Sequence, residues 1–126
     1  LSALFPAAKA LEIDASAVSR DRAVVDDYVA DPLVHHENIP ARTVVSLFDE
    51  ASAVLGRASE ISLPTLLLHG EEDVLTSVLA SRQFMADLSA TDKHITVYPG
   101  MYHELFNEPE KEEIIRTCLD WIATRL

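Results

Sequence analysis

The sequence predicts an α/β fold in two parts: a helical segment over residues 1–58, then two parallel strands with covering helices over 59–126. Three observations lead there. Apolar residues up to Ala58 recur mainly at helical spacing, the pattern after Pro64 switches to short continuous apolar runs, and the rest reads strand, loop, helix, strand, loop, helix. Two parallel strands do not stand alone, because each is normally buried on both faces and paired with further strands. The sheet is therefore expected to be completed by a missing amino-terminal part.

In chain order, the opening segment with Leu4, Pro6 and Leu11 carries no clear period. Asp21 is a suitable N-cap for a short helix that buries Val24, Val25, Tyr28 and Val29 and stops before Asp31-Pro32, a step that disfavours helical geometry. A longer helix presents Val44, Leu47, Phe48, Ala51 and Leu55 on one face, with Pro40 near its start and Gly56 after its end. Thr65 to His69 reads as a strand buried on both faces and ended by Gly70. Thr76 is placed to cap a helix from Ser77 to about Ser89 that buries Val78, Met85 and Leu88. Ile95 to Tyr98 forms the second strand, ended by Pro99-Gly100. A last helix from Pro109 carries an apolar stripe of Ile115, Cys118, Leu119, Ile122 and Leu126, with Glu108, Glu110, Glu112 and Glu113 at the positive end of its dipole.

Composition narrows the function. Ten basic against 21 acidic residues leave a formal charge of −11, which repels nucleic-acid phosphates and anionic lipid and argues against a polyanionic substrate. The longest apolar run, Leu63 to Leu68, is far shorter than the ~20 residues that cross a bilayer, so no transmembrane segment is expected. Cys118 is the single cysteine, which rules out an internal disulfide and fits a reducing cytoplasm, with contact at a membrane or lipid surface left open. Only 3 glycines accompany 48% apolar residues, fewer than the turns of a self-contained α/β domain usually use. Together with Leu1 at the first position, this suggests a chain that begins inside a longer gene product.

Reactive groups of open α/β sheets gather in loops past the carboxyl ends of the strands. Two such loops are expected here, Gly70-Glu71-Glu72-Asp73 and Gly100-Met101-Tyr102-His103. Adjacent parallel strands lie ~4.8 Å apart, so an acid and an imidazole three residues beyond each turn come within hydrogen-bond reach. Taken singly, Asp73 reads equally as a turn acid bonded to its own backbone and His103 as a surface histidine; Glu71 and Glu72 compete for the acid role.

Leu63 to Asp73 resembles the acid-bearing strand and loop of the α/β-hydrolase superfamily, and Tyr98-Pro99-Gly100-Met101-Tyr102-His103-Glu104-Leu105-Phe106-Asn107-Glu108-Pro109-Glu110 resembles the histidine segment of bacterial monoacylglycerol lipases and related serine hydrolases. Ser19-Arg20-Asp21 leading to Asp31-Pro32-Leu33-Val34-His35-His36 resembles the lid those enzymes insert between core strands. The resemblance implies Asp73 and His103 as the acid and base of a Ser-His-Asp triad, residues 1–58 as part of a lid, and a lipid or small ester as substrate, with no metal or organic cofactor. Val44, Leu47, Phe48 and Leu55 either line an acyl pocket or pack on the core. No Gly-x-Ser-x-Gly elbow occurs in the sequence, so the nucleophile and the oxyanion hole are expected from the amino-terminal half, and the chain alone is expected to be inactive. Another esterase, a lysophospholipase or a noncatalytic interaction module derived from such a scaffold are the alternatives, and the oligomeric state is not readable.

Other conspicuous side chains take plainer readings. His35, His36 and Glu37 are adjacent and point in different directions, so a lid role is preferred to a metal site. His69 and His94, at the end and start of strands, read as packing or surface residues, and Cys118 as a small core residue. The acidic run from Glu104 to Glu113 reads as dipole compensation.

Overall fold

The structure, a computed structural model, describes residues 7–126, so the expectations for Leu4 and Pro6 lie outside the described residues. Strand β1 (Lys9–Leu11) pairs antiparallel with β2 (Ile39–Pro40). Between them lies α1 (Arg22–Ala30), and α2 (Ala41–Gly56) follows directly. The small ladder departs from the all-helical reading of this half. Strands of three and two residues are too short to show a period, and the Ala41 N–H donates to the Ala8 carbonyl at 2.7 Å, which fixes the start of α2 against the opening segment.

Asp21 caps α1 by accepting from the Ala23 N–H at 2.9 Å, and the chain turns extended at Asp31, before Pro32. Val25 is buried, Val24 and Tyr28 are half-buried, and Val29 is exposed, contrary to the expectation that all four would be covered. A nine-residue helix touching its neighbours on one side has room for little more. Helix α2 buries none of its residues, leaving Leu47 and Phe48 more than half exposed. Gly56 is its final residue rather than the position after it, and Arg57 closes the end.

The second half holds β3 (Thr65–Gly70), α3 (Val78–Asp87), β4 (Lys93–Tyr98) and α4 (Lys111–Ala123). β3 and β4 are parallel, in register from Thr65 opposite Lys93 to Gly70 opposite Tyr98. Among the described residues the parallel sheet holds these two strands alone, so Thr65 to Leu68 are only half-buried instead of covered on both faces. Leu67 faces a cluster of Ala58, Met85, Leu88 and Ala90; Leu68, pointing the other way, joins Tyr98, Met101, Leu105 and Ile114. The cap of α3 is Ser77, which accepts from the Ala80 N–H at 3.2 Å, and not Thr76, whose hydroxyl is engaged elsewhere.

Helix α4 begins at Lys111 rather than Pro109, and its expected stripe is not the buried one. Ile115, Leu119, Ile122 and Leu126 are exposed and Cys118 is half-buried, whereas Ile114 is completely covered. Ile114, Thr117 and Trp121 share the neighbouring face at i, i+3 and i+7, and Tyr98 reaches Thr117 through its hydroxyl at 3.2 Å. Burying Ile114 contributes about 1.5–3 kcal/mol, which sets the rotation of the helix.

Candidate active site

Gly70 brings the two loops together. A Cβ at this position would lie 2.2 Å from the Tyr102 carbonyl oxygen and 2.4 Å from that of Met101, so only a hydrogen fits. The Glu71 N–H donates to the Tyr98 carbonyl at 2.9 Å and the Glu72 N–H to that of Met101 at 3.0 Å, stitching the loop after β3 to the loop after β4. Gly100 adopts φ 73°, the left-handed region glycine enters without steric cost, and turns the second loop back over the first.

Asp73 closes its own turn and holds a side chain from the other loop. Its Oδ1 accepts from the N–H groups of Leu75 at 2.8 Å and Thr76 at 3.0 Å. Its Oδ2 accepts from the Thr76 hydroxyl at 2.6 Å and from His103 Nδ1 at 2.9 Å. Thus both the turn-acid reading and the imidazole contact are present in one carboxylate. The Asp73 side chain is 3% exposed; Glu71 and Glu72, the rival acids, are exposed. Burial pushes the Asp73 pKa up, but the Thr76 hydroxyl, the His103 ring and the N–H groups of Thr76 and Leu75 outweigh it, and the carboxyl is held below the ordinary aspartate range. An ionised carboxylate only accepts, so His103 Nδ1 carries the hydrogen of this contact, and in the neutral ring Nε2 presents a lone pair. The ring is 38% exposed, open enough to meet a reactant.

A strap from residues 17–21 secures the histidine loop, and sequence reasoning missed it. The Glu104 N–H donates to the Val18 carbonyl at 2.8 Å, and the Ser19 hydroxyl to the Asn107 carbonyl at 2.8 Å. Glu108 is fully buried: its carboxylate accepts from Arg20 Nε at 2.5 Å, from the Arg20 N–H at 3.1 Å and from the Tyr102 N–H, next to His103, at 3.2 Å. Arg20 also pairs with Glu110. Glu108 is therefore a tether rather than a charge at the start of α4, which corrects the dipole reading for this residue. Glu108→Gln is expected to lower unfolding free energy by about 2–3 kcal/mol, because the amide turns a donor toward Arg20. Urea titration of the complete protein checks this; a change below about 0.5 kcal/mol, normal for surface sites, would deny the tether.

The Asp73 carboxylate also lies near a second imidazole. His69, expected to be a packing or surface residue, is buried, with Nε2 3.3 Å from Asp73 Oδ2 and Nδ1 2.8 Å from the Ser81 hydroxyl. His36 lies edge-on to Tyr28 with ring centroids 5.8 Å apart.

Beside the acid, Leu47, Glu50, Ala51, Val54 and Leu55 of α2 face Thr76, Ser77, Ala80, Ser81 and Phe84 across a mostly apolar cleft of about 410 Å³. Of the four lid candidates, Leu47 and Leu55 line it; Val44 and Phe48 do not, while Val54 and Phe84 do and were not singled out. Helical period identified the face of α2 but not the element opposite. Thr76 lines the cleft and donates to Asp73, so the apolar wall and the acid share a residue.

The sequence matches the family described as "Serine aminopeptidase, S33" over residues 1–110. It is 40% identical over 126 residues to a monoacylglycerol lipase of Mycolicibacterium smegmatis, covering 100% of this chain and 45% of that protein. The structure superposes on the crystal structure of Paleococcus ferrophilus monoacylglycerol lipase with TM-score 0.84 at 34% identity, covering 92% of this chain and 46% of that one. A soluble variant of the Saccharomyces cerevisiae monoglyceride lipase, solved with a substrate analog, shares the fold with TM-score 0.85 at 18% identity over 98% of this chain and 44% of that one. The chain spans about half the length of these relatives.

Proposed function

Since the chain belongs to the Serine aminopeptidase, S33 family and has an α/β-hydrolase fold, we propose that it supplies the acid and base of a serine hydrolase acting on monoacylglycerols or related lipid esters. The observation that carries this reading is the 2.9 Å contact between Asp73 Oδ2 and His103 Nδ1, which leaves Nε2 as the basic atom. In the reaction, His103 Nε2 takes the proton of a serine hydroxyl as its oxygen attacks the ester carbonyl. It returns that proton to the departing alcohol when the tetrahedral intermediate collapses. The same nitrogen then activates the water that releases the fatty acid from the acyl-enzyme. Asp73 stays ionised throughout, orienting the ring and stabilising the imidazolium.

The serine and the oxyanion donors come from an amino-terminal half of the same enzyme, which also completes the sheet. One feature supports that partner: the exposed apolar face of α4 formed by Ile115, Leu119 and Ile122. Residues 1–58 form part of a lid whose α2 face, through Leu47 and Leu55, contacts the acyl chain, and the cleft's apolar walls favour a hydrocarbon tail over a charged group.

Joined to an elbow-bearing amino-terminal half, the protein is expected to hydrolyse a long-chain monoacylglycerol with higher kcat/KM than a short p-nitrophenyl ester, and the 126-residue chain alone to hydrolyse neither. Faster turnover of the short ester would move the assignment to a general esterase, and selective cleavage of amino-acyl amides to a peptidase. No turnover of any of these by the complete protein would leave a noncatalytic module.

A further inference from the structure

We propose that His69 is a positioning residue that, anchored by Ser81, holds the Asp73 carboxylate and ties its orientation to the wall of the apolar cleft. This rests on the reading of Asp73 and His103 as acid and base, and adds a second imidazole to the acid's surroundings.

His69 is the residue before Gly70 on β3 and is 8% exposed. Its Nε2 faces two acceptors, Asp73 Oδ2 at 3.3 Å and the Thr76 carbonyl oxygen at 3.4 Å. Neither can donate, so Nε2 carries a hydrogen in either protonation state of the ring. The Nε2–H donates to the Thr76 carbonyl, and Asp73 Oδ2 lies beside it at ion-pair distance. Nδ1 lies 2.8 Å from the Ser81 hydroxyl, which donates to it in the neutral ring and thereby selects the Nε2–H tautomer. Ser81 sits on α3 and lines the cleft, as does Thr76, the other side-chain donor to Oδ2 besides His103. The acid is thus held by its own turn and faced by His69 from the strand end, and both Thr76, which bonds the acid, and Ser81, which bonds His69, form the cleft wall. A buried histidine serving only to fill space would not need a hydroxyl matched to one ring nitrogen and a carboxylate facing the other.

The test uses the complete enzyme and a monoacylglycerol, with rates normalised to active sites titrated by a fluorophosphonate. His69→Leu is expected to lower kcat by roughly 10- to 100-fold, the range that follows from misorienting a catalytic group, with KM unchanged. His69→Gln, whose side-chain amide again offers an N–H toward the Thr76 carbonyl beside Asp73, recovers most of the loss, and Ser81→Ala falls between. The downfield proton resonance of the His103–Asp73 hydrogen bond shifts in His69→Leu and returns in His69→Gln. Wild-type kcat and an unmoved resonance in His69→Leu overturn the proposal. Equal impairment of the Leu and Gln variants in step with lost thermal stability also overturns it, in favour of packing alone. Asp73→Asn serves as the reference: if it leaves turnover intact, the underlying acid–base reading has failed, whereas if it abolishes turnover while the His69 variants do not, only the role of His69 has.

Discussion

Replacing His103 with alanine is expected to reduce kcat of the complete enzyme by about 10⁶-fold, the loss typical of deleting the base of a serine hydrolase triad. His103 Nε2 is the atom proposed to move the proton, and Asp73 Oδ2 lies 2.9 Å from the opposite ring nitrogen, Nδ1. Asp73→Asn should cost less, about 10⁴-fold, because the imidazole remains but loses the anion that selects its tautomer and stabilises its charged form. KM should change little in either variant, since neither side chain builds the acyl cleft. Pre-steady-state kinetics on a chromogenic ester would show the acylation burst vanish in His103→Ala. A burst of wild-type rate would remove His103 from the mechanism.

Gly70→Ala is expected to damage stability and activity together. The added methyl would sit 2.2 Å from the Tyr102 carbonyl oxygen, 2.4 Å from that of Met101 and 2.8 Å from the Met101 carbonyl carbon, all backbone atoms that cannot rotate away. The histidine loop must move bodily, and it is fastened by the Glu108 tether and by the hydrogen bonds from Glu71 and Glu72. A loss of about 3 kcal/mol or more follows, at the upper end of overpacking costs. Displacing His103 by even ~1 Å reduces kcat by roughly 100-fold. Gly56→Ala is the matched control: nothing lies within 4 Å of its added methyl, and at the end of α2 it should stabilise by up to ~1 kcal/mol. Chemical denaturation of both variants decides the matter; equal stabilities would mean that the two loops are not packed as closely as Gly70 requires.

The parts of this fold that were readable are those governed by local chemistry. Asp21 caps α1 because its short carboxylate reaches a nearby N–H, and Thr65 to Gly70 is a strand because Thr65 and three consecutive leucines run up to His69 and a closing glycine. Misreadings arose where local rules left two choices. Thr76 and Ser77 are both competent caps, and the adjacent acid Asp73 claims the first, leaving the second to α3. On α4 the period was correct, but two neighbouring stripes satisfied it, and Ile114 rather than Ile115 met the cluster beneath Tyr98. The proximity of Asp73 and His103 was legible from two glycine-ended strands, since strand spacing is a constant of sheets. Glu108 and His69 were not. Glu108 meets Arg20 88 positions away, and His69 owes its environment to a hydroxyl on α3 and a carboxylate beyond the turn.

By itself, then, the sequence determined the order of its elements, the glycines that end its strands, and the acid and imidazole that follow them, because propensity, capping and turn geometry act over a few neighbouring residues. Tertiary structure alone decided which helix stripe is covered, which hydroxyl caps and which binds the acid, and which distant carboxylate restrains the histidine loop. Those outcomes depend on desolvation and close packing between segments far apart in the chain, and a buried charge or a ring tautomer is defined only by the groups that surround it.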